Sequence, residues 1–325
     1  MPAVLALLVA SGLLAACTSG GPTAAPSTSR SAPPPPSSPL PNVVTELNQL
    51  PEPSMPAAVQ EVGSAATPND LYVIGGYNAA GASTSGVYVF NGTSWSTGPP
   101  LPEAVNHPAA AAIGTTVIVA GGFTAAGATN RVFVLPSGAR SWVEAAPMKR
   151  ARGALTLLTV AGKVYAIGGL DGSSEVAIPE IFNPNTGAWT DLPPMPNPRD
   201  HAAGYVDGSF ACVAGGRQPT TSVAIDCLDT TTSTWQAEVS LPTATSGAAA
   251  GIFGSLIVVA GGEPVPETHL VTVVQELHRG TWGNEPMLVP RHGTSDAMFG
   301  GRLWMCGGAT APAIHPTPDC TSIGL

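Results

Sequence analysis

The sequence predicts an all-β protein folded as a six-bladed propeller, and three observations predict it. Short apolar runs end in Gly-Gly six times over. A tryptophan follows each of the first five pairs by 19 or 20 residues. The composition disfavours helices, because charged residues are only 10% of 325 while glycine (38) and proline (34) are plentiful.

The pairs are Gly75-Gly76, Gly121-Gly122, Gly168-Gly169, Gly215-Gly216, Gly261-Gly262 and Gly307-Gly308, spaced by 46 or 47 residues. Two markers keeping one period define a structural repeat. The run before each pair lacks helical spacing and reads as a strand buried on both faces. Small-residue segments such as Ala109–Ile113 and residues 248–252 precede several of these runs. They suit inner strands crowded near an axis. After Gly-Gly comes a polar loop, then alternation as in Val87–Phe90, a turn as in residues 183–187, and the tryptophan strand. Each unit is therefore four antiparallel strands, the size of a propeller blade.

The stretch Val164-Tyr165-Ala166-Ile167-Gly168-Gly169-Leu170-Asp171-Gly172, followed by Ile181-Phe182-Asn183-Pro184-Asn185-Thr186-Gly187-Ala188-Trp189, resembles the kelch repeat. The resemblance covers residues 42–325 and implies a kelch-type β-propeller. The sixth repeat lacks its tryptophan strand before Leu325. Leu50-Pro51-Glu52 matches Leu101-Pro102-Glu103, which puts Val44 at the Trp95 position. Residues 43–47 are thus expected to close the last blade as its outer strand and remove a free sheet edge.

Residues 1–16 form an uncharged apolar run ending in small residues, which reads as a signal segment. Leu14-Ala15-Ala16-Cys17 resembles the bacterial lipobox, which implies acylation of Cys17 and a membrane anchor on the extracytoplasmic side. Residues 18–41 hold eight prolines and six serines and read as a tether without a core. The domains expected are a signal peptide at 1–16, a lipidated tether at 17–41 and the propeller at 42–325. A net charge of −9 with 12 Lys and Arg excludes a nucleic-acid binder, which needs a basic stripe.

Four further cysteines in an exported domain favour disulfides. Neighbouring strands bring Cys212 to Cys227 and Cys306 to Cys320. The registers of the two pairs differ by about two residues, which leaves one bridge open to being diagonal or absent.

Loops after Gly-Gly share a face with the segments leading into the inner strands, and that face is the expected binding surface. Stepping by one blade groups Ser54, Val105, Arg152, Arg199, Thr245 and Arg291, with His107, His201, His292 and Asp200 beside them. Three guanidinium groups round one mouth would clamp carboxylates or sulfates. In the competing reading these side chains bond nearby loop carbonyls. The loops after Gly-Gly add Tyr77, Asn78, Arg217, Glu263, Glu267 and His269.

The function expected is a monomeric, membrane-tethered binding module with a protein or glycan ligand. The alternative is a carbohydrate-active enzyme of the kelch type, closer to the sialic-acid epimerases than to galactose oxidase. Five tyrosines and strand-committed cysteines argue against a copper radical centre. No catalytic constellation, cofactor or metal site is read from the sequence.

Overall fold

Each Gly-Gly pair marks the point where a buried strand must turn sharply out of its sheet. In the computed structural model, which describes residues 46–325, both glycines of every pair have positive φ, for example 64° at Gly168 and 92° at Gly169. A Cβ on Gly168 would collide with the Arg199 carbonyl oxygen. The Gly169 N–H donates to that same carbonyl at 3.0 Å. Two consecutive left-handed residues against a backbone oxygen leave no room for a side chain, which explains the repeat's strongest marker.

Six four-stranded antiparallel sheets result. The first comprises Gly63–Ala66, Leu71–Ile74, Val87–Phe90 and Trp95–Thr97. The second comprises Ala109–Ile113, Thr116–Ala120, Val132–Leu135 and Val143–Ala145. The third comprises Thr156–Val160, Lys163–Ile167, Glu180–Asn183 and Ala188–Asp191. The fourth comprises Ala203–Asp207, Phe210–Ala214, Ile225–Asp229 and Thr234–Ala237. The fifth comprises Ala249–Phe253, Leu256–Ala260, Val273–His278 and Thr281–Pro286. The sixth takes Ala297–Phe299, Arg302–Cys306 and Cys320–Gly324 from the C-terminal part and Asn48–Glu52 from the N-terminal part.

The core lies between blades. Ile118, Val132, Leu157, Val164 and Phe182 fill the layer between the second and third, and comparable layers fill every other junction. Indole N–H groups stitch the outer ends: Trp95 donates to the Pro53 carbonyl, Trp142 to Pro99, Trp189 to Ala146 and Trp235 to Pro193. Among the described residues no helix is long and apolar enough to cross a membrane.

The last blade closes as expected, but through a different segment. Asn48–Glu52 pairs with Cys320–Gly324, Asn48 facing Gly324 and Glu52 facing Cys320. The strand expected at residues 43–47 is corrected accordingly, with Glu46 and Leu47 preceding the pairing. The reason is a misleading Leu-Pro-Glu match. The true counterpart of Leu101 is Met55, because Met55, Leu101, Met148, Met195, Leu241 and Met287 are all buried at steps of 46 or 47. Gln49, not Val44, therefore occupies the tryptophan position. The signal segment 1–16, Cys17 and the tether to residue 41 lie outside the described residues.

Both disulfides form, Cys212 to Cys227 and Cys306 to Cys320. Each pair is directly opposed in register, so neither bridge is diagonal. The loops between the cysteines absorb the offset between the blades.

Candidate functional site

The two faces of the ring differ. Hairpins joining the first and second strands are short, as at Ala161-Gly162 and Gly254-Ser255. Loops joining the second and third strands are long, and two of them carry small hairpins, Phe123–Thr124 with Gly127–Ala128 and Arg217–Gln218 with Thr220–Thr221. The long loops surround one mouth of the central channel.

Six equivalent residues line that mouth. Glu61, His107, Ala154, His201, Gly247 and Gly293 all have positive φ, between 51° and 63°. Their backbones form a closed circuit. His107 N–H donates to the Glu61 carbonyl at 2.8 Å, Ala154 to His107, His201 to Ala154, Gly247 to His201, Gly293 to Gly247, and Glu61 back to Gly293 at 2.7 Å. Four of the six are not glycine, and each pays about 1 kcal/mol or more for a left-handed backbone. The circuit holds them there.

Hydrogen bonding around the ring fixes its imidazoles. Asn106 donates through Nδ2 to Ser83 Oγ at 2.8 Å and to the Phe123 carbonyl at 3.2 Å. Its Oδ1 must then face His107 Nδ1, 2.6 Å away, and accept a hydrogen bond from its N–H. His107 Nε2 is left facing Glu61 Oε2 at 3.3 Å. His201 repeats the scheme with its Nδ1 on Asp200 Oδ1. The two imidazoles meet edge to face, their centroids 4.9 Å apart. Tyr77 and Phe123 flank His107 at 5.7 and 5.6 Å.

On the other side of Glu61, His292 Nδ1 lies 3.3 Å from Glu61 Oε1 and 3.3 Å from Glu263 Oε1. Arg217 closes the rim with Nη2 2.6 Å from Glu263 and Nη1 3.0 Å from Glu267. Burial pushes His107 down to about 4, against the pull of Glu61, so it is neutral at neutral pH. Burial also opposes charge on His292, but the Glu61 and Glu263 carboxylates outweigh it and hold this imidazole above its ordinary value.

The arginine clamp expected at the mouth is not what these residues build. Arg152, Arg199 and Arg291 are fully buried inside their own blades. Arg152 meets Glu180 at 2.5 Å and the Gly168 carbonyl at 3.1 Å. Arg199 meets Asp226 at 2.5 Å and the Gly215, Val213 and Ala224 carbonyls. Arg291 donates to the Gly307 and Asp319 carbonyls. Thr245 does the same work with one hydroxyl, reaching the Gly261 carbonyl at 2.6 Å. In four of the six blades this position therefore clasps the first glycine of the pair, and a guanidinium reaches it only by leaving solvent. Val59, not Ser54, is the equivalent in the first blade, since its carbonyl accepts from Gly308 as that of Arg152 does from Gly122.

The mouth does gather Tyr77, His107, Asp200, His201, Glu263 and His292. His269 instead stays exposed beside Thr268. Glu61 was missed. Stepping one repeat back from His107 reaches it, and the glycines at the fifth and sixth equivalents, Gly247 and Gly293, signal the left-handed backbone. The recess among these side chains has a cavity volume of about 140 Å³, below the roughly 300–1,000 Å³ of ordinary small-molecule pockets.

A model of the KLHDC2/KLHL20/DRC7 Kelch-repeats domain matches residues 64–262. Kelch-like protein 33 of Homo sapiens is 36% identical over 76 residues, covering 23% of this chain and 14% of its own length. Kelch-like protein 35 of Mus musculus is 24% identical over 106 residues, covering 32% of this chain and 18% of its own. The matches thus span under a fifth of either relative. A solved structure, described as the structure of YjhT, superposes with a TM-score of 0.71 at 16% identity, covering 84% of this chain and 99% of its own. That likeness is one of fold alone.

Proposed function

The chain belongs to the kelch-repeat family, and from that premise we propose that it is an extracytoplasmic binding module that docks a protein partner on the long-loop mouth of its propeller. A lipid on Cys17 tethers it to the outer face of the cell membrane, and residues 18–41 hold the propeller clear of the bilayer. The observation that carries the docking reading is the convergence of polar and aromatic side chains from several blades at the long-loop mouth. Two disulfides support an oxidising compartment. Against an enzyme acting on acidic sugars stand the small recess and the burial of the three arginines that would have clamped an anion.

The test compares the two faces. The full chain is expressed in a bacterial host and cross-linked in place. Tyr77→Ser with Arg217→Ser is expected to abolish the partner adduct, whereas Lys163→Ser, beside a short hairpin on the far face, leaves it intact. Equal adducts from both variants would overturn docking at the mouth. Radiolabelled fatty acid incorporated by the chain but not by Cys17→Ser would support the tether, and incorporation by both would overturn it.

A further inference from the structure

We propose that Glu61, His107 and His201 bind one divalent transition-metal ion, of the zinc class, on the propeller axis. This goes beyond the docking reading and does not depend on it. One ligand atom from each of the three residues lies within 4.8 Å of the other two. Two imidazoles with a carboxylate form a donor set suited to zinc with open positions remaining.

Two features point to an ion and not merely to a polar cluster, and a third steadies its carboxylate ligand. The first is the tautomer. The Asn106 carboxamide is oriented by its own donations, so its oxygen accepts from His107 Nδ1–H, holds the proton there and leaves Nε2 as a bare lone pair. Asp200 engages Nδ1 of His201 in the same way. Metal-bound histidines are held like this, with the distal nitrogen on a carboxylate or amide oxygen and the other free to ligate.

The second is a pair of facing acceptors. His107 Nε2 and Glu61 Oε2 lie 3.3 Å apart. A lone pair against a carboxylate oxygen is repulsive unless a positive centre sits between them.

The third is His292. It is buried, and its Nδ1 lies 3.3 Å from the second Glu61 oxygen. We assign it as a positioning residue that holds the Glu61 carboxylate in place.

The scaffold suits the role. All three ligands are in the closed backbone circuit, so their Cα positions are fixed. Ligand atoms in a tetrahedral zinc site lie about 3.4 Å apart, as bonds of 2.0–2.2 Å require. The side chains therefore close inward by small rotations about fixed backbones. Ala154, Gly247 and Gly293 complete the circuit with little or no side chain, which keeps the remaining coordination positions open to solvent or to a donor from outside.

The test uses the full chain carrying Cys17→Ser, so that its thiol cannot compete, after dialysis against chelator. Calorimetric titration with Zn²⁺ is expected to give one ion per chain at micromolar affinity or tighter. Co²⁺ is expected to give visible absorption displaced by Zn²⁺. His107→Asn, His201→Asn and Glu61→Gln keep side chains of similar size, and asparagine tolerates the left-handed backbone. Each should weaken binding more than tenfold. Asp200→Asn should cost about 10- to 100-fold through the orientation of His201. Thermal unfolding checks that each variant is folded. If a variant fails to fold, the ¹¹³Cd resonance of the parent protein decides, since two imidazole nitrogens and carboxylate oxygens give a shift distinct from an all-oxygen site. Substoichiometric binding, affinity unchanged in the folded histidine variants, or an all-oxygen shift would overturn the assignment.

Discussion

Gln49 donates from Nε2 to the Pro286 carbonyl at 2.8 Å and so does for the sixth blade what indoles do for others. Its Oε1 also accepts from the Leu288 N–H at 2.7 Å. One carboxamide thus ties the N-terminal strand to the fifth blade while the backbone pairs it with the sixth. Each of these bonds contributes about 1 kcal/mol net. Gln49→Ala should therefore lower the melting temperature by about 2–6 °C. Deleting residues 46–52 strips the outer strand and exposes the edge of Cys320–Gly324, so it should cost far more. A deletion variant melting with the parent would refute closure by this strand.

Arg199 and Asp226 form a clasp inside the fourth blade, both buried and 2.5 Å apart. Removing one partner strands the other charge. Arg199→Met should destabilise by about 3–5 kcal/mol in chemical unfolding. Adding Asp226→Leu should recover much of that loss, since a pair of apolar groups leaves no charge unmatched. Parental stability in Arg199→Met would mean that the guanidinium is not needed inside the blade.

The blades were legible in the sequence because their markers are chemically exclusive. Two left-handed residues pressed on a carbonyl admit only glycine, so the pairs repeat without exception. The closing strand was legible in kind but not in register. Prolines crowd the approach to every blade, and Leu50-Pro51-Glu52 imitates Leu101-Pro102-Glu103, whereas burial singles out Met55. The site was half legible. His107, His201, Asp200 and His292 were visible as types, but Glu61 was hidden because its position carries glutamate, histidine, alanine and glycine in different blades. The common property there is a backbone angle, which composition does not display. The arginines misled because a guanidinium is a recognition group at a surface and a carbonyl clasp in a core, and burial decides between them.

Cys306 and Cys320 join the second and third strands of the sixth blade, where the chain's two ends meet. The bridge closes a loop with a sequence separation of 14. A loop of that size gives about 3 kcal/mol by restricting the unfolded chain. Cys306→Ser with Cys320→Ser should lower the melting temperature by about 5 °C. The same double change at Cys212 and Cys227 should cost a similar amount, as the separation there is 15. A loss confined to one bridge would show that strain or residual structure outweighs loop closure.

Asp296 lies in the channel behind the mouth and accepts from Ser64 Oγ at 3.1 Å, while its own N–H donates to that oxygen at 2.9 Å. Burial pushes its carboxyl up to about 7, which the Ser64 hydroxyl and two backbone N–H groups only partly oppose. An unfolded aspartate titrates near 3.9. Between these values the folded protein binds more protons than the unfolded chain, so the Asp296 contribution to stability falls as pH rises through that window. Above pH 7 the full penalty, up to about 4 kcal/mol, is in place. His107, Glu263 and His292 also have shifted values, so the quantity to read is the difference between the parent and Asp296→Asn. Urea unfolding at pH 5 and pH 8 should show the variant gaining on the parent at the higher pH, because the amide never ionises. A difference independent of pH would mean that water in the channel solvates the carboxylate fully.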